Sequence, residues 1–275
     1  MSRADLRLLA AEVRLLLGRR RTWALLGVLV AVTVLLGVAV ELSGDDGGGD
    51  GGGPPLLGRI TDNGLFLAVT ALGATVPFFL PLAVGVVAGD AVAGEAQLGT
   101  LRYLLAVPVG RTRLLLVKYA TAVVFCLCAT GTVALTGVVT GLALFPVGEV
   151  ALLSGDVVSA SGAAWRVVLV AAYATLSLLG LCAVGLFVST LTEVPVGAMA
   201  ATVVVAIASQ LLDSVPQLAW LHPWLLTHHW LGFADLLRDP VSWGTTLDNA
   251  LLQAGWVAVV GSLAWARFTT RDVTS

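Results

Sequence analysis

The chain has 275 residues, of which 58% are hydrophobic and only 12% are charged, and its formal net charge is −2. A soluble domain usually carries about 25% charged residues. Half of that charge, with a mean hydropathy of +0.96, excludes an ordinary soluble protein and indicates a polytopic membrane protein. Cys126, Cys128 and Cys182 lie inside apolar stretches, where we expect small buried apolar side chains.

Residues 1–21 precede the first apolar stretch and have an amphipathic pattern. Leu6, Leu9, Val13 and Leu16 recur at helical spacing, with arginines largely off that stripe. We predict an interfacial helix on the cytoplasmic membrane surface. A cleaved signal peptide is the alternative, but the charged region is too long for one and the cleavage pattern is weak.

Six stretches are long and apolar enough to span a bilayer, which takes about 20 residues. They are 23–40, 65–88, 117–146, 167–190, 194–212 and 249–266. The apolar runs are continuous and do not alternate, so they predict helices. The predicted fold class is therefore an all-α membrane protein, with one transmembrane domain over residues 1–275.

The basic residues predict the orientation. With the N-terminus in the cytoplasm, twelve of the fifteen lysines and arginines lie inside, and only Arg59, Arg166 and Arg238 lie outside. Such a bias follows the positive-inside rule. Both termini are then cytoplasmic.

Two of the loops that then lie outside have distinctive compositions. The segment 43–55, rich in glycine and aspartate, predicts a flexible linker. The segment 213–248 carries four tryptophans, which favour membrane interfaces, so we predict short helices that dip into the outer headgroup layer. It also holds His222, His228 and His229. Three histidines can bind zinc, but we expect loop or interfacial histidines and no metal site.

Prolines and small residues indicate features inside the spans. Pro77 and Pro81 lie one turn apart in the second span and predict a kink, which is either a moving part or a local packing distortion. Gly137 and Gly141 in the third span have GxxxG spacing, which favours close packing within the chain or with a second chain.

A substrate pathway in such a chain is mostly apolar, with few hydroxyls and amides. This lining favours an amphipathic or lipid-like cargo over a charged one. The candidate pathway residues are Pro77, Phe78, Pro81, Ser209 and Gln210.

Several motifs are absent from the sequence. Spans two to six have no charged residue near their centres, which disfavours an ion-coupled carrier. No phosphate-binding loop is present, because the only lysine, Lys118, lies between Val117 and Tyr119. We predict no catalytic residue and no enzyme activity. If the work of this protein uses ATP, another chain must bind it.

The stretch GDAVAGEAQLGTLRYLLAVPVGRTRLLLVK, at 89–118, separates the second and third spans. We predict a helix from Gly94 to Ala106, ending before Pro108. Glu95, Gly99 and Arg102 would form one side of it, opposite an apolar side of leucines. Such an amphipathic helix between two spans is suited to docking a soluble partner.

Five basic residues are predicted at the membrane edge. Cations there serve topology and contact lipid headgroups. They are Arg19, Arg20, Arg21, Arg113 and Lys118.

The pattern of this loop resembles the signature of the bacterial ABC exporter permease family of the second type, also called the type V exporter fold. The residues that match are Asp90, Glu95, Gly99, Thr100, Leu101, Leu104, Leu105, Pro108, Arg111 and Lys118. The N-terminal helix, the six spans and the closing FTTRDV are also similar to this family, so the resemblance covers essentially the whole chain.

The resemblance implies a coupling helix inside the cytoplasmic loop 89–113, seated in a groove of a separate ATPase subunit. The contact residues it implies are Glu95, Gln97, Gly99, Thr100, Arg102, Tyr103, Pro108 and Arg111. It implies two permease chains, identical or related, with two ATPase chains that hold ATP and magnesium, while this chain holds no cofactor.

The family's function is ATP-driven export across the bacterial cytoplasmic membrane by alternating access. Two alternatives stay open: a sensory or regulatory subunit that transports nothing, and an ion-coupled carrier or channel without an ATPase. We expect no binding of nucleic acid.

Overall fold

The computed structural model describes residues 3–45, 63–99, 110–146, 150–151 and 157–270. Most of the linker 43–55 lies outside the described residues. So do Thr100, Arg102, Tyr103 and Pro108 of the predicted contact set, and the second half of the FTTRDV ending.

The described part of the chain is almost entirely helical. An N-terminal helix covers Arg3–Gly18, and span 1 covers Arg20–Asp45. Span 2 consists of two helices, 2a at Leu65–Thr75 and 2b at Phe79–Gln97. Span 3 is Arg111–Leu144, and span 4 is again divided, into 4a at Ala160–Ser177 and 4b at Leu179–Leu191. Span 5 is Pro195–Asp213, and span 6 is Gly244–Thr270.

Six of these stretches have the length and composition of membrane spans, as the sequence predicted. Their bounds differ from the prediction mainly at three ends. Helix 2b continues nine residues past 88, span 3 begins at Arg111 instead of 117, and span 4 begins at Ala160 instead of 167. Between spans 3 and 4, Val150–Ala151 and Val157–Val158 form a two-residue antiparallel pair, a small addition to an all-α fold.

The spans form one bundle around a common apolar core. Span 2b packs against spans 5 and 4b, span 4b packs against span 6, and span 3 packs against spans 1 and 2a. The N-terminal helix lies against the start of span 3. We call the end of the bundle that carries this helix the N-terminal end, and the end that carries residues 214–243 the loop end.

Span 2 is interrupted where the prolines predicted a distortion. Residues 76–78 form a turn between the two helices, and Pro77 lies at its centre. Pro81 is the third residue of helix 2b, where a backbone N–H would have no partner in its own helix. The side-chain amide of Gln210 donates to the carbonyl oxygen of Pro77 at 2.7 Å, so span 5 satisfies a group that the break leaves free.

Span 4 is also interrupted, at Leu178, and this break was not predicted from the sequence. The N–H of Gly180 donates to the Gln253 side-chain oxygen at 3.2 Å. The Asn249 amide donates to the Ser177 hydroxyl at 2.8 Å. Two polar side chains of span 6 thus provide hydrogen-bond partners for the Gly180 N–H and the Ser177 hydroxyl at this break, inside an otherwise apolar core.

The segment 214–243 contains three short 3-10 helices: Pro216–Leu218, His222–Trp224 and Gly232–Leu237. Short helices were expected here, but much of the segment folds into the bundle. Leu226 is fully buried, and Trp230 is 2% exposed. The other three tryptophans of the segment are exposed. The Gln253 amide also donates to the Leu226 carbonyl at 2.9 Å, which ties the segment to span 6.

The two glycines of span 3 pack within the chain. A Cβ at Gly141 would lie 1.9 Å from the carbonyl oxygen of Gly64, and one at Gly137 would lie 2.5 Å from the Cα of Ala68. Span 3 and helix 2a are therefore in backbone contact. Of the two predicted uses of the GxxxG spacing, the structure contains the intrachain one.

Alanine at position 141 should destabilise the bundle, because its methyl group has no space beside Gly64. Overpacking typically costs about 1–3 kcal/mol. Gly131 lies on the same helix, and a Cβ there meets nothing within 4 Å, so Gly131→Ala is the matched control. We expect the thermal unfolding midpoint in mild detergent to fall for Gly141→Ala and to stay equal or rise for Gly131→Ala. Equal midpoints for the two variants would contradict this packing.

Candidate functional site

Two clusters of ion pairs lie at the N-terminal end of the bundle. They join the N-terminal helix and the short connection that follows it to the end of helix 2b and the start of span 3. The predicted coupling segment begins and ends at these same two helix ends. The site is therefore built from the residues that hold the two attachment points of that segment.

The first cluster surrounds Lys118, two turns into span 3. Its ammonium lies 2.9 Å from the Glu12 carboxylate and also contacts the Glu95 carboxylate. The side chains of Lys118, Glu12 and Glu95 are only 6%, 13% and 14% exposed. A buried charge is tolerated when opposite charges and hydrogen bonds surround it. The cluster thus fixes three separate segments relative to one another.

The second cluster surrounds Asp90 in helix 2b. Arg19 and Arg21, which flank the start of span 1, each place a guanidinium nitrogen 2.5 Å from the same Asp90 oxygen. Asp90 is 9% exposed at its side chain, and the arginines are more open. A further, more exposed pair joins Arg113 to Asp5. The N-terminal helix and its connection to span 1 are therefore held on both sides of the predicted coupling segment.

The predicted helix 94–106 differs from the structure at its start. Gly94 to Gln97 are the last turn of helix 2b, and Leu98 and Gly99 form a turn. Gly99 has a φ of +67°, in the left-handed region that ends helices and favours glycine. The prediction of a continuous helix from Gly94 is wrong at Gly99, where the described helix has ended, and Arg102 lies outside the described residues. Glu95 instead faces Lys118.

The remaining described residues of the predicted contact set lie near the two ends of the segment. Gln97 and Gly99 are exposed after the last buried turn of helix 2b. Arg111 begins span 3 and donates to the backbone carbonyl of Thr269 in span 6 at 2.7 Å. Contact with an ATPase subunit stays a prediction for all of these residues.

Of the five residues expected at the membrane edge, four are in ion pairs within the chain. Arg19 and Arg21 pair with Asp90, Arg113 pairs with Asp5, and Lys118 lies in its buried cluster. Lys118 is therefore not at a lipid-facing edge, since its side chain is nearly enclosed. Arg20 is exposed, and its contact with lipid headgroups stays a prediction.

The candidate pathway residues lie toward the loop end. Gln210 and Pro77 are in contact through the hydrogen bond described above. The Ser209 hydroxyl lies 2.8 Å from the Thr227 hydroxyl and accepts from the Thr227 N–H, so it secures the 214–243 segment. Phe78 is exposed, whereas Pro81 is buried. These residues share a region, but their role in a pathway is a prediction.

The three histidines also lie at the loop end. His228 Nδ1 is 2.7 Å from an Asp213 oxygen, and His222 Nδ1 is 3.9 Å from the same oxygen. Burial lowers the pKa of His229 below its ordinary value, and the neighbouring His228 lowers it further. Within the described ranges, no group of histidine, cysteine, aspartate and glutamate side chains is arranged to hold a metal ion.

Six apolar helices in one bundle define a multi-pass helical membrane protein. A family model described as "ABC-2 family transporter protein" matches residues 17–209, and the chain belongs to this family. The match includes spans 1 to 4, most of span 5, the Asp90 cluster, and Lys118 and Glu95 of the other cluster, whereas Glu12 precedes it. No curated protein matches the chain.

Family membership places the chain among the permeases of ABC transporters. Such permeases are membrane components that are generally not catalytic, and they imply a partner ATP-binding cassette subunit. The sequence-based expectation of an ABC-2 permease is therefore confirmed.

Lys118→Ala should be strongly destabilising, because it leaves Glu12 and Glu95 as two buried carboxylates without their shared cation. Breaking a buried ion pair by removing one partner typically costs about 3–5 kcal/mol. Arg238→Ala is the matched control, because its pair with Asp235 is more open, with side chains 62% and 28% exposed, and exposed pairs contribute about 0–1 kcal/mol. We expect a large fall in the unfolding midpoint in detergent for the first variant and a small one for the second. Equal effects would mean that the Lys118 cluster does not hold the segments together.

Proposed function

We propose that this chain is the permease of an ATP-driven exporter that moves a small amphipathic or lipid-like cargo out across the bacterial cytoplasmic membrane. The observation that carries the proposal is that, in a chain of the ABC-2 family, the segment between helix 2b and span 3 is held at both of its ends. Helix 2b and span 3 hold the two ends of the segment 98–110, and the buried cluster of Lys118 links both to the N-terminal helix.

This arrangement suits a mechanical role. A displacement of the segment 98–110 would act directly on helix 2b at Gln97 and on span 3 at Arg111. Because Glu95, Lys118 and Glu12 are tied by charge, the two spans and the N-terminal helix would move together. Arg111 would extend the effect to span 6 through Thr269. ATP binding in the partner supplies the force, and this chain converts it into alternating access.

The break in span 2 at Pro77 is the second element of the proposed mechanism, because it allows the two parts of the span to move relative to each other. Helix 2b is separated there from helix 2a by three non-helical residues. Helix 2a is fixed to span 3 by the backbone contact of Gly64 and Gly141. Helix 2b can therefore pivot at residues 76–78 while helix 2a keeps its contact with the loop end of span 3. The expected route of the cargo runs past this break, near Gln210.

The proposal includes the orientation and the partners. The N-terminal end faces the cytoplasm, as the distribution of arginines favours, and the loop end faces outward. Two copies of an ATPase subunit bind ATP and magnesium, and a second permease chain, identical or related, completes the pathway. This chain itself contributes no catalytic group and no resident cofactor.

Purification of the full chain from its native membrane should recover a soluble protein with a phosphate-binding loop. We expect mass spectrometry of the mild-detergent complex to identify this ATPase and the second permease. Recovery of the chain by itself, stable and without any ATPase, would favour an ion-coupled carrier or channel. A stable complex whose ATP hydrolysis drives no transport would favour the regulatory role.

Gly99→Val should uncouple ATP hydrolysis from transport. A β-branched residue is strained at a φ of +67°, so the chain must leave helix 2b along a different direction. The matched control is Gly110→Val at the other end of the segment, where φ is −55° and a Cβ meets nothing within 4 Å. In proteoliposomes of the whole complex, we expect Gly99→Val to keep ATPase activity and lose uptake of a fluorescent amphiphile that the unchanged complex transports. Normal coupling in Gly99→Val would count against the coupling role.

A further inference from the structure

A polar cleft lies at the loop end, where span 2 breaks, span 5 ends and the segment 214–243 folds back. Its volume is about 260 Å³. The polar residues that line it include Gln210, Asp213, His228 and Trp230, with Val76 and Leu231 as apolar walls. Pockets that enclose a whole drug-sized ligand measure roughly 300–1,000 Å³. This cleft therefore has space for one end of a ligand.

The charge in the cleft comes from Asp213, whose side chain is 26% exposed. Among the described residues, the ionisable partners of its carboxylate are the imidazoles of His228 and His222. The arginines at this end, Arg166 and Arg238, pair with other aspartates. While the imidazoles are neutral, Asp213 thus gives the cleft a negative charge that no cation of the described chain neutralises.

A buried hydrogen-bond donor in the wall of the cleft also lacks an acceptor. Trp230 is 2% exposed, and its indole N–H has no hydrogen-bond partner within the described residues. A buried polar group without a partner costs free energy that a ligand oxygen can recover. Most other polar groups here are already bonded, including the Gln210 amide to Pro77 and Thr227 to Ser209. The cleft therefore offers one anionic acceptor, and a residue with an unpartnered buried N–H belongs to its wall.

We infer that this cleft binds the ammonium end of an amine-bearing amphiphile. Asp213 accepts hydrogen bonds from the ammonium group. The apolar body extends past Val76 and Leu231, which is 53% exposed. That this ligand is the exported cargo rests on the function proposed above, whereas its binding does not.

Protonation of the histidines competes with such a ligand. A protonated His228 or His222 would neutralise Asp213 and repel an ammonium group. His229 stacks edge-on against His228, and Asp248 acts on His229 from span 6. These are the titratable groups that face the carboxylate and its imidazoles in the described structure.

The test uses the full chain in lipid nanodiscs without any ATPase, so that its outcome is independent of the permease proposal. The probe is dansylcadaverine, a primary amine, and the matched neutral probe is N-butyl dansylamide. We expect saturable binding of the amine above the signal of empty nanodiscs. Asp213→Asn should weaken it about tenfold, with no change for the neutral probe. Asp235→Asn, which alters an aspartate already bonded to Arg238 and Thr245, should leave both unchanged.

A second variant keeps the inference testable if Asp213→Asn elutes as an aggregate in size-exclusion chromatography. Ser214 also lines the cleft and is exposed, so Ser214→Trp fills the space without removing a charge. It should abolish binding of the amine probe. Equal binding of the amine and neutral probes by the unchanged chain would overturn the inference, as would undiminished binding of the amine by Asp213→Asn or Ser214→Trp.

Discussion

The burial of Lys118 between two carboxylates is the constraint on which the N-terminal end of the molecule depends. Glu12, Glu95 and Lys118 come from three different segments, and each is nearly enclosed. None can be buried without the others, because an isolated charge in a poorly solvated site is far less stable than a paired one. The N-terminal helix, the end of span 2 and the start of span 3 therefore assemble as a unit.

This constraint determines how the two ends of the segment between Gln97 and Arg111 are held. Close to its two attachment points, Glu95 and Lys118 are buried, paired and tied to a third helix, so the two points do not move independently. At the other end of helix 2b, the break at Pro77 is bridged by a hydrogen bond from Gln210. The rigid attachments and the break therefore lie at opposite ends of helix 2b. That combination suits a part that receives force at one end and changes its tilt at the other.

The six spans were predictable from the sequence, because a helix that crosses the bilayer needs about 20 mostly apolar residues. That requirement is met by local composition alone. The sequence also predicted the break at Pro77, since proline acts locally. The break at Leu178 has no such signal. It is stabilised by hydrogen bonds with Asn249 and Gln253 of span 6, about seventy residues away in the sequence. Only the tertiary structure reveals that these two side-chain amides bond to groups of span 4.

The ion clusters were partly accessible to sequence reasoning. Glu12 is three residues after Leu9 and four before Leu16, so a carboxylate lies on the apolar stripe of the N-terminal helix, which is a sequence sign of a buried partner. Lys118 carries no such sign, because basic residues beside a span usually serve topology at the membrane edge. At Gly99, helical periodicity predicts a continuous helix, and only the structure reveals the left-handed φ. The burial of Trp230 has no local signal, because tryptophans near a membrane usually mark its interface.

The dependence of span 4 on span 6 also constrains the order of biogenesis. Span 4 leaves the ribosome first, and the Gly180 N–H then has no Gln253 to bond, since that residue is made 73 positions later. In the hydrocarbon of the bilayer, such a group finds no water to replace the missing acceptor. Helices 4a and 4b can therefore reach their final arrangement only after span 6 inserts. A translation product that stops before span 6 would expose an unsatisfied backbone inside the membrane, a feature by which quality-control proteases could distinguish it from the finished chain.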